Sequence, residues 1–244
     1  MHPGVVWPAR RPYADQLLVC LSYRGGGTTA FRPWARVLAD DCDLALICYP
    51  GRERRFSEPA LRDWPTLFGD ALAAVRSVAD RPYVLFGHST GTWMAFEVAV
   101  AMERSSNPPV ALVVSAGNAP TRAEEERRRT PRAGAPDEDL LRWMVRFGQL
   151  PPVVLADPDA RQMALDLFRA DSWAADSYEY VPGRTVRAPL HVLCGTDDAQ
   201  VDGDGGWEPL ATGSYRLDRL PGGHFYTTDV WATLPRWMPA VTTA

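Results

Sequence analysis

Residues 86–93 read FGHSTGTW and set Ser89 in a G-x-S-x-G spacing. A serine hydroxyl becomes a nucleophile at neutral pH when a base takes its proton, and the chemistry that follows is acyl transfer. The spacing is short enough to arise by chance, so its flanks decide its meaning. YVLFG, before it, reads as a buried strand; TGTWMAFEVAVAME, after it, reads as a helix. Strand, sharp turn and helix are the context a nucleophile elbow requires. The glycines leave room for the turn and for a close helix–strand crossing. Ser89 then stands at a helix start, whose free N–H groups favour an anion.

The chain offers four histidines as the base. His2 lies at the chain terminus, His88 is held inside the elbow, and His191 sits within a strand pattern. His224 lies in LPGGHFYT, a glycine-rich loop after the last strand. The order Ser…Asp…His puts the base there. Two loops could supply the acid that orients His224 and stabilises its cation. SAGNAPTR has no carboxylate before Glu124, whereas GTDDAQVDGD has four. Asp198 is the first choice and Asp197 the alternative. A tetrahedral oxyanion also needs donors. One is the backbone N–H of Thr90. The other belongs to the glycine-rich SYRGGGTT segment, with Arg24 N–H the best placed and Gly25 next.

These residues need a frame. Apolar runs at 16–22, 43–49, 83–87, 110–115, 189–195 and 215–220 read as strands, with helical patterns at 31–39, 63–79, 90–104 and near 228–238. The alternation implies a mostly parallel sheet flanked by helices, an α/β fold in one domain spanning 1–244. Residues 119–185 interrupt it with helical stretches at 137–150 and 158–180, too long for an ordinary crossover, and read as a lid insertion. Asp137 and Asp157 are candidate N-caps. Trp143, Met144, Phe147, Met163, Leu167, Phe168 and Trp173 could line an acyl pocket within the lid.

Composition removes other chemistries. All 26 basic residues are arginine, which excludes a Schiff-base lysine and a phosphate loop ending in Lys-Ser/Thr. A net charge of −4 argues against a nucleic-acid binder. No apolar run is long enough to span a bilayer, and the first residues lack a secretory core. Four scattered cysteines without a C-x-x-C read as buried thiols in the cytoplasm. No metal site is expected.

Five ordered segments resemble the type II thioesterases of polyketide and nonribosomal peptide assembly lines. CLSYRGGGTTAFRPWARVL is similar to that family's oxyanion loop and first helix, and CYPGRERRFSEP to its P-G-R-E segment. FGHSTG with MAFE resembles the elbow, and LCGTDD and LPGGHF the acid and base loops. The resemblance implies an α/β-hydrolase fold and a catalytic set of Ser89, Asp198 and His224, with Arg24 and Thr90 as oxyanion donors. It implies acyl groups on the phosphopantetheine arm of acyl or peptidyl carrier proteins as substrate, with no cofactor of the enzyme's own. The usual role is removal of stalled or aberrant acyl groups. Carriers are commonly acidic, so Arg52, Arg54 and Arg55, or Arg127, Arg128 and Arg129, are candidate docking patches. Two departures stand out: Arg24 replaces a small residue, and Thr90 stands where the family often has methionine. The competing readings are a general carboxylesterase or acyltransferase with the same triad, and a non-catalytic binding protein on a hydrolase scaffold.

Overall fold

A computed structural model describes residues 2–243. Its sheet has the strands β1 (Val5–Val6), β2 (Gln16–Leu21), β3 (Cys42–Ile47), β4 (Tyr83–His88), β5 (Ala111–Ser115), β6 (Leu190–Gly195) and β7 (Tyr215–Leu220). Their spatial order is β1-β3-β2-β4-β5-β6-β7. β1 pairs antiparallel with β3, and the other pairings are parallel. β3 lies on one side of β2 and β4 on the other, so chain order reverses there. The loops leaving β2 and β4 therefore diverge and open a crevice at the strands' C-terminal ends. SYRGGGTT and FGHSTG are those two loops.

Side chains alternate across the strands and divide the core. Leu17, Val19 and Leu21 face a layer containing α1 (Trp64–Arg76) and α2 (Gly91–Met102). Leu18 and Cys20 face Phe31, Trp34, Leu234 and Met238 on the opposite side. Between β5 and β6 the chain forms α3 (Ala123–Arg129), α4 (Asp137–Arg146), α5 (Pro152–Ala156) and α6 (Pro158–Asp176); α7 (Thr228–Ala232) follows β7. Leu140, Met144, Leu165 and Phe168 give the insertion a small core of its own. All four cysteines are free and buried. Among the described residues no helix is long and apolar enough to cross a membrane.

Local chemistry moves several boundaries. The segment expected as a helix at 31–39 is a 3-10 helix, Thr29–Arg36, with Pro33 inside it; proline removes a backbone donor that an α-helix would use. The last helical segment divides into α7 and a 3-10 turn, Leu234–Trp237, which holds Pro235. Asp157 caps α6, accepting from the Asp159 and Ala160 N–H groups. Asp137 is not an N-cap. Pro136 holds that position, and the Asp137 carboxylate receives Arg169 at 2.5 Å instead. Two-residue β1 was too short to give a strand signal.

One buried ion pair ties the insertion to the sheet. Arg52 donates to both oxygens of Asp171 on α6, at 2.8 and 2.6 Å, and to the Gly26 carbonyl at 2.6 Å. Asp171 also accepts the Gly25 N–H at 2.7 Å. Burial lowers the Arg52 pKa, but Asp171 more than compensates and holds it above its ordinary value. Removing one partner strands a buried charge, which is far more costly than the pair's own net gain. Arg52→Ala is therefore expected to lose about 3–5 kcal/mol of stability. Urea denaturation measures it; a loss below about 1 kcal/mol, typical of a surface pair, would contradict the clamp.

Candidate active site

The site begins with a turn that few side chains can make. Ser89 follows β4 with φ of +53°, the left-handed region that ordinary residues avoid. Its flanks make the turn possible. A Cβ on Gly87 would press into the Gly91 backbone, and one on Gly91 into the Leu21–Ser22 backbone. Hydrogen bonds fix the turn: Ser89 N–H donates to the Ser115 carbonyl at 2.8 Å, and Thr92 Oγ1 donates to the Ser89 carbonyl at 2.6 Å.

The β7–α7 loop brings His224 over this turn. Its Nε2 lies 2.9 Å from Ser89 Oγ, and its Nδ1 lies 3.0 Å from Asp198 Oδ2. Asp198 Oδ1 accepts the Gln200 N–H at 2.9 Å. Ser89, Asp198 and His224 are all buried. A carboxylate only accepts, so the imidazole proton sits on Nδ1 and the Nε2 lone pair faces the serine hydroxyl. That is the tautomer a general base needs. Asp197 is exposed, and its backbone N–H donates to the Gly222 carbonyl; its side chain does not reach the imidazole.

The other histidines have separate partners. His191 Nε2 meets Asp218 at 2.7 Å, and His2 lies 3.6 Å from Asp70. His88 is fully buried, with its ring 5.3 Å from that of His224. A directed chain leads away from it. Tyr226 O–H donates to the Leu193 carbonyl at 3.0 Å, so the tyrosine oxygen accepts from Ser115 Oγ at 2.7 Å. Ser115 Oγ in turn accepts from His88 Nδ1 at 3.0 Å. His88 Nε2 carries no proton and has no partner. Burial, with His224 adding to it, drives His88 well below its ordinary pKa. Ser115, Tyr226 and Thr92 escaped sequence reasoning because their roles depend on which loops meet. A serine ending a strand carries no signal of its own.

The two expected oxyanion donors stand open: among the described residues neither Arg24 N–H nor Thr90 N–H has an acceptor. Gly25 N–H is taken by Asp171, which removes it as the alternative. Arg24 and Thr90 border a small cavity of about 20 Å³ with Tyr49, Trp64, Leu67 and Met94. Burial pulls the Arg24 guanidinium below its ordinary pKa, against the longer-range pull of Glu126, Asp176 and Asp171. On the histidine side lies a cleft of about 800 Å³, bordered by Tyr23, Arg146, Phe147, His224, Phe225 and Trp231. Phe147 stands edge-on to His224, ring centroids 5.8 Å apart.

The expected acyl-pocket set is corrected accordingly. Of its seven residues, Phe147 lines this cleft. Met144 and Phe168 are consumed by the insertion's core, and Trp143 packs against Phe147 and Phe168. Met163, Leu167 and Trp173 border a separate groove against residues 51–62. Helical spacing gave their shared helix but not the face each presents. Neither arginine cluster is a free basic patch. Arg52 and Arg55 are buried in ion pairs, Arg55 with Glu58 and Asp70. Arg54 is exposed and donates to the Val5 carbonyl. Arg127 and Arg128 pair with Glu124, and Arg129 with Asp202.

Residues 16–235 match the thioesterase domain family. The chain is 32% identical over 214 residues to a protein named as a probable cadicidin biosynthesis thioesterase of Streptomyces griseus, covering 87% of this chain and 58% of that one. It is 28% identical to the human medium-chain S-acyl fatty acid synthase thioesterase, covering 90% and 84%. The structure of the type II thioesterase BorB from the borrelidin biosynthetic cluster superposes with a TM-score of 0.79 at 33% identity, covering 98% and 97%. This chain thus spans less than two thirds of the cadicidin relative and most of the other two.

His88 gives the site a pH signature. The fold holds it neutral, whereas in the unfolded chain it gains a proton below about pH 6.5. Its contribution to stability is fully present above that pH and is lost as pH falls, by up to about 1.4 kcal/mol per pH unit. His88→Asn keeps an N–H toward Ser115 and does not titrate. Urea denaturation from pH 7 to pH 5 is expected to show a shallower loss in the variant; equal slopes would contradict a neutral His88.

Proposed function

The chain belongs to the thioesterase family, and from that premise we propose that it releases acyl groups from the phosphopantetheine arm of acyl or peptidyl carrier proteins. Its place is in a polyketide or nonribosomal peptide assembly line, where it clears stalled or aberrant acyl units. The observation that carries the reading is the hydrogen-bonded chain Ser89–His224–Asp198, with two unengaged N–H groups beside it.

In this mechanism His224 Nε2 takes the Ser89 proton as Oγ attacks the thioester carbonyl. Asp198 stabilises the imidazolium that forms. The oxyanion develops against the N–H groups of Arg24 and Thr90. Collapse breaks the carbon–sulfur bond; His224 returns the proton to the departing thiol and leaves an acyl-enzyme. His224 then deprotonates a water that attacks the ester, and the free acid departs with Ser89 reprotonated. Only the substrate's phosphopantetheine is needed, and no metal or cofactor of the protein's own.

The arm enters through the large cleft beside His224, under the helical insertion acting as a lid. Arg146 is exposed at that cleft and has no ion-pair partner among the described residues, which suits the phosphate of the arm. His88 remains neutral beside the imidazolium and so does not oppose its formation. The reading carries a cytoplasmic location.

Hydrolysis of butyryl carrier protein, butyryl coenzyme A and p-nitrophenyl butyrate tests it. The carrier thioester is expected to give the highest kcat/KM. A preference for the oxygen ester would favour the general carboxylesterase. Ser89→Ala is expected to lower kcat by about 10⁴-fold or more, and Asp198→Asn by a similar order. Asp197→Asn should remain within a few-fold of wild type. Full activity in Ser89→Ala, or a crippled Asp197→Asn beside an active Asp198→Asn, would refute these roles.

A further inference from the structure

Large apolar side chains exposed singly on a surface are ordinary, but a cluster of them rimmed by polar residues marks a contact site. Phe56, Met163 and Trp173 are exposed, at 62%, 47% and 47%, and they border one groove of about 470 Å³. One wall is a face of α6. Met163, Leu167, Ala170 and Trp173 recur there at helical spacing. Leu165, Phe168 and Asp171 leave the other face of the same helix, for the insertion's core and for Arg52. The second wall is the 51–62 segment, which carries Phe56. That segment is braced internally: Gly51 N–H donates to the Arg55 carbonyl at 3.1 Å, and Arg55 donates to Glu58 and Asp70. The Arg52–Asp171 pair joins the two walls, so the groove is already formed before anything enters it.

The groove adjoins the entrance to the site. Glu53 borders it, and the Glu53 carboxylate accepts the N–H groups of Thr28 and Thr29 at 2.6 and 3.2 Å. Thr29 borders the large cleft beside His224. One side chain thus reaches from the groove to the lining of the cleft. The rim is balanced in charge. Glu53 meets Arg32, Glu58 meets Arg55, and Arg169 meets Asp137. Arg62 and Asp166 remain, with opposite signs. What the groove offers a partner is apolar area between a helix and a loop. An amphipathic helix lays its apolar face into such a groove.

We propose that this groove docks the carrier protein. An amphipathic helix of the carrier seats its apolar face on Phe56, Leu167 and Trp173, and the phosphopantetheine arm passes Glu53 into the cleft. The proposal rests on the thioesterase reading of Ser89 and assigns the place where its macromolecular substrate sits. Position identifies the occupant. The cleft admits an arm, so the body that carries the arm rests on the surface beside the cleft's mouth, and this groove is apolar surface joined to that mouth. Both arginine clusters that could have held an acidic carrier are engaged within the chain, which leaves apolar contact to hold it.

Butyryl carrier protein and butyryl coenzyme A test this, because they present the same acyl group on the same arm with and without the carrier's body. The readout is the ratio of their kcat/KM values within one protein, so a general loss of activity cancels. Wild type is expected to favour the carrier. Phe56→Ala and Trp173→Ala are each expected to lower the ratio by about tenfold, the scale of losing one aromatic anchor at an interface, and the double variant by more. The loss falls on KM for the carrier, while hydrolysis of the coenzyme A thioester is unchanged. A wild-type ratio at or below unity, or the wild-type ratio in the double variant, overturns the proposal alone. So does a wild-type dimer in analytical ultracentrifugation that the double variant dissolves, since a second copy then occupies the groove. A wild-type protein that cleaves neither thioester overturns the thioesterase reading and the proposal with it.

Discussion

The left-handed turn at Ser89 is the constraint around which the molecule is arranged. A non-glycine residue there costs about 1–3 kcal/mol and persists only where its surroundings over-determine it. Here they do. α2 starts so close to β2 and β4 that Gly87 and Gly91 have no room for a side chain. Ser115 on the neighbouring strand holds the Ser89 N–H through its carbonyl, while its hydroxyl holds His88. The strain lifts Oγ above the sheet, to the point where His224 can meet it at 2.9 Å.

Around that turn, three loops from strand ends converge and each is wired to something rigid. The base loop is tied down through Tyr226, whose hydroxyl reaches the Leu193 carbonyl and Ser115. The acid loop is tied by Asp198 to Gln200 N–H and by Asn118 to the Gln200 carbonyl. The oxyanion loop is tied by Gly25 and Gly26 to the Arg52–Asp171 pair, which also anchors the helical insertion. A donor loop and a covering helix thus share one buried carboxylate. Movement of α6 is therefore coupled to the loop that carries Arg24. Preorganisation of this kind is what lets backbone N–H groups stabilise an oxyanion without reorganising during the reaction.

The sheet, the insertion and the meeting of Ser89, Asp198 and His224 were legible in the sequence because each has a local signature. Buried parallel strands read as apolar runs, a nucleophile turn is enclosed by glycines, and SAGNAP is empty of carboxylates. The rest depends on facing, which one sequence does not encode locally. Met163, Leu167 and Trp173 lie on α6 with Phe168, yet they turn to a different groove. Arg52, Arg54 and Arg55 looked like one basic patch because sequence adjacency conceals burial; Asp171, over a hundred residues away, is what neutralises Arg52. Arg24 was visible as an unusual residue, but its burial against Phe168 emerged only from packing.

The central claim is that Ser89 is an activated nucleophile because His224 and Asp198 make it one. Labelling of the folded protein with a fluorophosphonate, followed by peptide mapping, tests it most directly. The account predicts a single adduct on Ser89, formed rapidly in the wild-type protein and suppressed in His224→Ala. No adduct, an adduct on another serine, or equal labelling in the absence of His224 would contradict it.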